Sequence, residues 1–269
     1  MLRLILFLLV ISPFGFANAG ITAKYDSTGA AMGGASSGSI LIDKGKSRMD
    51  VDKEATVIFD GNAQRMEIIN HKDRSFTVLD QSSAEAIATE IEPAIQQMRA
   101  QMQALPPEQR AMMEKMLAEK MGINLESKPA DEPDLDLKKT GQSGEAGGFA
   151  CDWWEARDAT DLVYEYCVTP AKDLPSGEEL LQYFQDLKQF KREIVGTINR
   201  SGAFKIPSLP IADVRDIEGL PLISRQYHQG EIVVETRFVA IQKTELPADT
   251  FAVPDGYKEQ KLAGAGSQK

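Results

Sequence analysis

The methionines are the residues of this chain whose type and spacing could do chemistry. Met98 and Met102 lie one helical turn apart, and Met112, Met113 and Met116 form a second group. Because thioethers select Cu(I), a copper-binding protein is one interpretation of this pattern. Methionine also fills irregular apolar gaps and suits adaptable binding surfaces, and no histidine or cysteine lies nearby in the sequence. We therefore favour packing or ligand contact, and we predict no metal and no cofactor.

Hydrolytic catalysis has little support in the sequence. The chain has two histidines, His71 and His228, and neither occurs in a metal-binding spacing such as H-E-x-x-H. Neighbouring carboxylates such as Glu178 and Glu179 fall at a predicted helix start, where solvated or capping carboxylates are common. We predict that the protein is not an enzyme.

The two cysteines, Cys151 and Cys167, predict a structural disulfide. If Arg157 faces Asp161 across a three-residue turn, the two cysteines lie directly opposite each other in an antiparallel hairpin. Opposed residues can lie close enough for a disulfide, which would close a loop of about 15 residues. Two free buried thiols are the alternative. A redox-active pair is disfavoured because there is no C-x-x-C spacing.

The first nineteen residues have the pattern of a signal peptide. Arg3 supplies the positive charge, residues 4–11 the apolar segment, and Ala17–Ala19 the small-residue cleavage site. The apolar run is shorter than the ~20 residues that span a membrane. We predict cleavage near Ala19, a periplasmic or secreted location, and no stable membrane insertion. The net charge of −10 and the lack of a long basic run argue against a nucleic-acid partner.

The predicted secondary structure begins, after the signal peptide, with an antiparallel meander of short strands. Residues 20–36 are interpreted as a first strand or a loose entry segment. Five short strands follow, predicted from alternating apolar residues between tight polar turns: residues 39–42, 47–51, 56–60, 65–70 and 75–79. No connection between them is long enough for a parallel crossover.

A methionine-rich helical pair, residues 82–122, follows the meander. Its first helix has apolar residues every three or four positions, which predicts a stripe along one face: Ile87, Ile91, Ile95, Met98, Met102 and Leu105. Ser82 and Glu85 form a predicted capping box. Pro93 predicts a kink or two shorter helices. The pair Pro106–Pro107 predicts a break before the second helix.

The second half of the chain begins with a predicted acidic loop over residues 126–148, containing one short strand near 135–139. Two hairpins and one long helix are predicted after it: a hairpin of residues 149–157 and 162–168, a helix from Pro175–Ser176 with Ser176 and Glu179 as a capping box, and a hairpin of residues 220–228 and 232–242. The prediction is one domain over residues 20–262, with a frayed tail over 263–269.

Four segments, in this order, resemble an uncharacterised family of exported bacterial proteins that is known as a domain of unknown function. They are the lysine-glycine turn in Ile42–Met49, the Pro-Pro-Glu-Gln-Arg-Ala-Met-Met run from Pro106, the strand start Gly148–Cys151, and the terminal Phe251–Tyr257. That family is similar in architecture to the lipoprotein-carrier (LolA/LolB-like) superfamily. The resemblance implies an α+β fold, an antiparallel half-barrel with helices covering its concave face.

The function predicted from these features is the binding of an apolar ligand, a lipid or acyl chain, in the cell envelope. The residues expected to line or gate the site are Ile87, Ile91, Met98, Met102, Met113, Met116, Leu117 and Trp153. The alternative is a structural or interaction protein that docks an envelope protein partner and has a filled core. Sequence alone does not separate a packed core from a cavity.

Overall fold

The computed structural model describes residues 18–29, 34–51, 53–121, 135–197, 217 and 219–261. Their elements, in chain order, are β1 (Asn18–Thr28), β2 (Ser36–Asp43), β3 (Lys46–Asp50), β4 (Ala55–Asp60), β5 (Arg65–Asn70), β6 (Ser75–Leu79), α1 (Gln81–Gln103), α2 (Pro107–Met121), β7 (Asp136–Ala146), β8 (Phe149–Asp158), β9 (Asp161–Thr169), α3 (Gly177–Phe190), β10 (Leu220–His228), β11 (Glu231–Leu246) and β12 (Lys258–Glu259). The predicted signal peptide lies outside these residues, except for its last two positions.

All twelve strands form one open sheet in the order β12-β6-β5-β4-β3-β2-β1-β11-β10-β9-β8-β7. Neighbours are antiparallel except the short β12, which runs parallel to β6. The predicted meander and both predicted hairpins are confirmed, and the first part of the entry segment, up to Thr28, is a strand. The mixed α+β class with a large antiparallel sheet is therefore confirmed. The half-barrel shape and the covering of a concave face stay predictions.

Tight turns explain why the strands pair in sequence order. Lys44 and Gly45 both have positive φ, of 51° and 78°, as do Gln229 and Gly230, at 53° and 84°. Two consecutive residues of this kind match the twist of the flanking strands, which favours a two-residue hairpin. Each turn therefore specifies its hairpin locally.

The main core lies where α3 packs on the sheet. Leu180, Tyr183, Leu187 and Phe190 of α3 are each at most 6% exposed and join a single cluster of buried side chains from the sheet. Phe59 on β4 contacts Phe190 edge to face, with ring centroids 5.2 Å apart. The predicted long helix is therefore present as α-helix over Gly177–Phe190. Residues Lys191–Val195 continue it as a π-helical turn.

Both predicted capping boxes are wrong: α1 is capped by other residues, and the Ser176 side chain does not cap α3. The N-cap of α1 is Asp80, whose carboxylate accepts from the Ser83 N–H at 2.9 Å while the Ser83 hydroxyl accepts from the Asp80 N–H at 2.8 Å. Ser176 has left-handed backbone, with φ 50°, and its side chain makes no capping hydrogen bond. The Glu179 carboxylate instead accepts from the Lys44 N–H at 2.8 Å, which joins α3 to the β2–β3 turn. The helix α1 is continuous through Pro93, so the prediction of two shorter helices is wrong.

The short strand predicted near residues 135–139 is present but longer than predicted, so the acidic loop predicted over residues 126–148 is wrong in its second half. Residues Asp136–Ala146 form β7, an edge strand that pairs with β8. The pairing is interrupted between Lys139 and Ser143, and most side chains of β7 are exposed. Exposed polar residues and a bulge are typical of protected sheet edges, and they hide the apolar alternation that signals a strand. Residues 126–134 lie outside the described part.

The predicted disulfide between Cys151 and Cys167 is present, with Cα atoms 5.2 Å apart. Its predicted register is wrong, because Cys167 lies directly opposite Trp153. The turn is one residue shorter than predicted, since Asp158 faces Asp161, and a bulge at Ala156/Arg157 shifts the pairing again. The two cysteines are therefore diagonal neighbours across the ladder.

Candidate functional site

The first helix of the methionine-rich pair is fixed to the core at its beginning. Ala84 is fully buried and Ile87 is 5% exposed, and both belong to the main core cluster. Farther along α1, Ile95 and Met102 are also buried, each at 4% exposure. The apolar spacing of α1 thus marks the face that is removed from solvent.

Arg110 joins the end of α1 to the beginning of α2. Its guanidinium donates to the backbone carbonyls of Met102, Gln103 and Leu105, at 3.2, 3.1 and 3.3 Å. These carbonyls belong to the last turn of α1 and the residues after it, where helical partners run out and a cation is favourable. One side chain therefore orients the second helix on the first.

The second helix presents three methionines to solvent. Met112 is 76% exposed, Met113 38% and Met116 46%. We call these three residues the methionine surface. Glu108 lies one turn before Met112 on the same line of the helix, because residues four apart share a face. A concentrated apolar surface of this kind, with a carboxylate at one end, can contact an apolar partner.

The structure spreads the other predicted site residues over different environments. Ile87 and Met102 are buried, Met98 is half-buried, and Met113 and Met116 are exposed. Trp153 lies on β8 and packs against the main core, which also contains Ile87. The backbones of Ile91 and Leu117 lie in α1 and α2, and their side chains are outside the described part. The role of these eight residues as a ligand site stays a prediction.

A polar cluster around Trp153 is absent from the sequence prediction. The Arg225 guanidinium lies over the Trp153 ring, 4.7 Å from its centroid, and pairs with Glu235 at 2.7 Å and Glu165 at 3.2 Å. The Tyr227 hydroxyl donates to Glu165 at 2.5 Å. Burial is the main cause, and the Glu165 carboxylate the second cause, of a Tyr227 pKa that is raised to about 12. The signal was available in the predicted hairpin, because Arg225 lies opposite Glu235. Its groups satisfy one another, which favours a structural role.

His71 is also part of a hydrogen-bonded chain. Thr56 donates to Asp50 at 2.6 Å, so its oxygen is left to accept from His71 Nε2 at 2.9 Å. His71 Nδ1 is hydrogen-bonded to the Tyr257 hydroxyl, also at 2.9 Å. This chain ties the terminal segment to the meander. Within the described residues, no group of three His, Cys, Asp or Glu side chains is placed to hold a metal ion.

The fold and the site together define a mixed α+β protein with an open antiparallel sheet and an apolar surface on one helix. A family described as a domain of unknown function (DUF4412) matches residues 85–257, and the protein belongs to this family. No curated protein matches the chain. The resemblance to a family of unknown function is therefore confirmed, and the likeness to lipoprotein carriers stays a prediction.

Three solved structures are similar at low identity. An uncharacterised conserved protein from Thermus thermophilus is 6% identical over 90% of this chain and 89% of its own, with a TM-score of 0.42. PNGF-II is 8% identical over 90% of this chain and 31% of its own, with a TM-score of 0.37. The Pseudomonas aeruginosa MucA/MucB complex has a chain 12% identical over 87% of this chain and 54% of its own, with a TM-score of 0.35.

No helix in the described ranges is long and apolar enough to cross a membrane.

Proposed function

We propose that the protein is an exported binding protein, not an enzyme, whose methionine surface docks an apolar helical segment of another envelope protein. The observation that carries this proposal is the exposure of Met112, Met113 and Met116 on a helix that Arg110 holds at its first turn. Flexible thioethers adapt to varied apolar partners at little cost. Export is supported by the disulfide and by the signal pattern at the N-terminus.

The proposal places the partner on the surface because aromatic side chains occupy the region between α3 and the sheet. Tyr183 lies edge-on to Phe59, with ring centroids 6.2 Å apart, and Phe184 lies edge-on to Phe238 at 6.4 Å. Aromatic rings in mutual contact favour a filled core over a lipid cavity in this region. The predicted lipid or acyl ligand therefore becomes the second candidate, on the same methionine surface.

The partner segment should be apolar on one face and carry a basic side chain beside it. Glu108 lies in line with Met112 and Met116, and the chain has a net charge of −10. A lysine or arginine next to the apolar face would complement this carboxylate and speed association. An apolar helix with a basic flank is a common ligand of methionine-lined surfaces.

The test is site-specific photocrosslinking in the cell envelope. A photoreactive amino acid replaces Gln109, which is exposed on α2 one turn before Met113, and a control replaces Gln97, which is exposed on α1. We expect a protein-sized adduct from position 109 and none from position 97. Mass spectrometry of the adduct should identify an apolar segment with a basic flank. An adduct of lipid mass, or equal adducts at both positions, contradicts the proposal.

Two triple variants of the methionine surface separate the alternatives. Replacing Met112, Met113 and Met116 by leucine keeps the surface apolar but removes the thioethers, so docking should persist. Replacing all three by glutamate should abolish the adduct. A protein adduct that persists in the glutamate variant contradicts the docking proposal. Cu(I) binding that is lost in the leucine variant, with no protein adduct in wild type, would identify a copper-binding protein instead.

A further inference from the structure

A cavity of about 290 Å³ lies beside α1, on a different face from the residues predicted to bind a ligand. It is partly open to solvent, and its walls come from α1 and from Thr197, which follows the π-helical turn. The α1 residues that matter here are Thr89, Glu92, Ile95, Gln96 and Arg99. A cavity of this size is at the lower end of the range for small-molecule sites.

Arg99 brings an uncompensated positive charge to this cavity. Its Nε–H is buried and has no hydrogen-bond acceptor, and the described residues offer its guanidinium no ion pair. A buried donor without an acceptor is unfavourable, and more so when the group is charged. A ligand carboxylate would supply both the acceptor and the counter-charge.

Glu92 brings a negative charge to the same face, two helical turns earlier. Its side chain is exposed and accepts from the Gln96 amide at 3.1 Å. Residues seven apart on a helix lie on the same face, so Arg99 and Glu92 both border the cavity. The buried Ile95, between them in the sequence, adds an apolar wall. The cavity therefore combines an anion-binding group, a cation-binding group and apolar surface.

We propose that this cavity binds a small zwitterion, an α-amino acid. The ligand carboxylate pairs with Arg99 and its ammonium group pairs with Glu92, while its side chain contacts Ile95. A molecule carrying only a carboxylate would be repelled by Glu92, and one carrying only an amine would be repelled by Arg99. This site is independent of the methionine surface, so either proposal can fail alone.

The test is calorimetric titration of the purified protein with each of the twenty common L-amino acids. At least one should bind with a dissociation constant of about 1 mM or below. For the tightest ligand, the matched acid without its amino group and the matched amine without its carboxyl group should each bind at least tenfold more weakly. Failure of every amino acid at about 10 mM overturns the proposal.

Two charge-neutral variants assign the contacts. Arg99→Gln should abolish binding of the amino acid, and Arg99→Lys should restore part of it because the charge returns. Glu92→Gln should weaken binding of the amino acid at least tenfold and should strengthen binding of the matched acid that lacks the amino group. Circular dichroism of each variant excludes unfolding. Unchanged affinity in Arg99→Gln, or a matched acid that binds wild type as tightly as the amino acid, contradicts the zwitterion site.

Discussion

The helices α3 and α2 have apolar residues at similar spacing, but the apolar stripe of α3 is buried and the methionine surface of α2 is exposed to solvent. Along α3, Leu180, Tyr183, Leu187 and Phe190 are all buried. On α2, the methionine surface is exposed, with Met112 at 76%. Helical periodicity therefore identifies an apolar face, but it does not say whether the same chain covers that face.

The attachments of the two helices also differ. The Glu179 carboxylate binds the backbone of the β2–β3 turn, and a Cβ on Gly61 in the β4–β5 turn would lie 2.6 Å from the Asp186 carboxylate. The helix α3 is thus held along its length against two turns of the sheet. The side-chain hydrogen bonds described between α2 and the rest of the chain are those that the Arg110 side chain makes to the end of α1. We infer that α3 carries stability and that α2 is free to carry binding.

The largest effect should come from the α3 core. Phe190→Ala removes a ring that is 2% exposed and packed on Phe59. We expect the free energy of unfolding to fall by about 3–5 kcal/mol, through lost burial and the cavity left behind. Urea denaturation followed by tryptophan fluorescence measures it. Gln185→Ala on the exposed side of α3 is the control and should stay within about 0.5 kcal/mol. A loss below about 1 kcal/mol in Phe190→Ala would show that α3 is as dispensable as α2.

The disulfide should come next, because it lies in the same core as α3. Both Cys151 and Cys167 belong to the main buried cluster. Replacing the pair by alanine should lower the free energy of unfolding by roughly 3 kcal/mol, the value expected for a closed loop of about 15 residues. Reducing agent should reproduce the loss in wild type and have no effect on the double variant. A double variant as stable as wild type would mean that this part of the sheet does not need the bond.

The meander and the hairpins could be predicted because their determinants are local, whereas the pairing of β1 with β11 joins distant parts of the chain. The pair Gln229–Gly230 and the turn at Lys44–Gly45 set their hairpins within a few residues, and alternation marked the buried face. The capping of α3 could not be predicted in this way. Ser176 takes a left-handed backbone, with φ 50°, and the next residue, Gly177, lies so close to the Ala171 carbonyl that a Cβ there would be 1.8 Å from it. That contact is with an earlier segment, so the helix spacing does not reveal it.

The candidate sites were less predictable, because they depend on what covers a surface. The spacing of Met102 and Met112 marks both as apolar helix positions, yet one is 4% and the other 76% exposed. The cavity at Arg99 was hidden because most of its lining residues are polar and lie beside the apolar stripe of α1, which contributes only Ile95 to it. The diagonal pairing of Cys151 depends on a bulge at Ala156/Arg157 that has no signature in residue type.

The N-cap of α1 should have a smaller, pH-dependent effect. The Ser83 N–H, with the Ser82 and Ser83 hydroxyls, holds the pKa of Asp80 below its usual value. Because the folded pKa is lowered, this stabilisation is present at neutral pH and is lost as the pH falls below about 4. Asp80→Ala should cost about 1 kcal/mol at pH 7.

Hydrogen exchange locates this effect. Asp80→Ala should speed amide exchange at the start of α1 and leave α3 unchanged, since the Asp80 cap bonds only to the first turn of α1. Asp80→Asn is the matched control, because asparagine caps a helix but does not titrate in this range. It should keep the protection of α1 at pH 7 and weaken the pH dependence. Faster exchange in α3 would show that the two helices open together.

The smallest effect on stability should come from the methionine surface itself. Met112→Ser removes a side chain that is 76% exposed, so the free energy of unfolding should change by less than about 0.5 kcal/mol. Met102→Ala is the matched contrast, because Met102 is 4% exposed and its truncation should cost about 2 kcal/mol or more. Urea denaturation of both variants measures the difference. Equal losses would mean that Met112 is buried in solution as Met102 is. A buried Met112 could not contact a partner, so the methionine surface could not be the docking site.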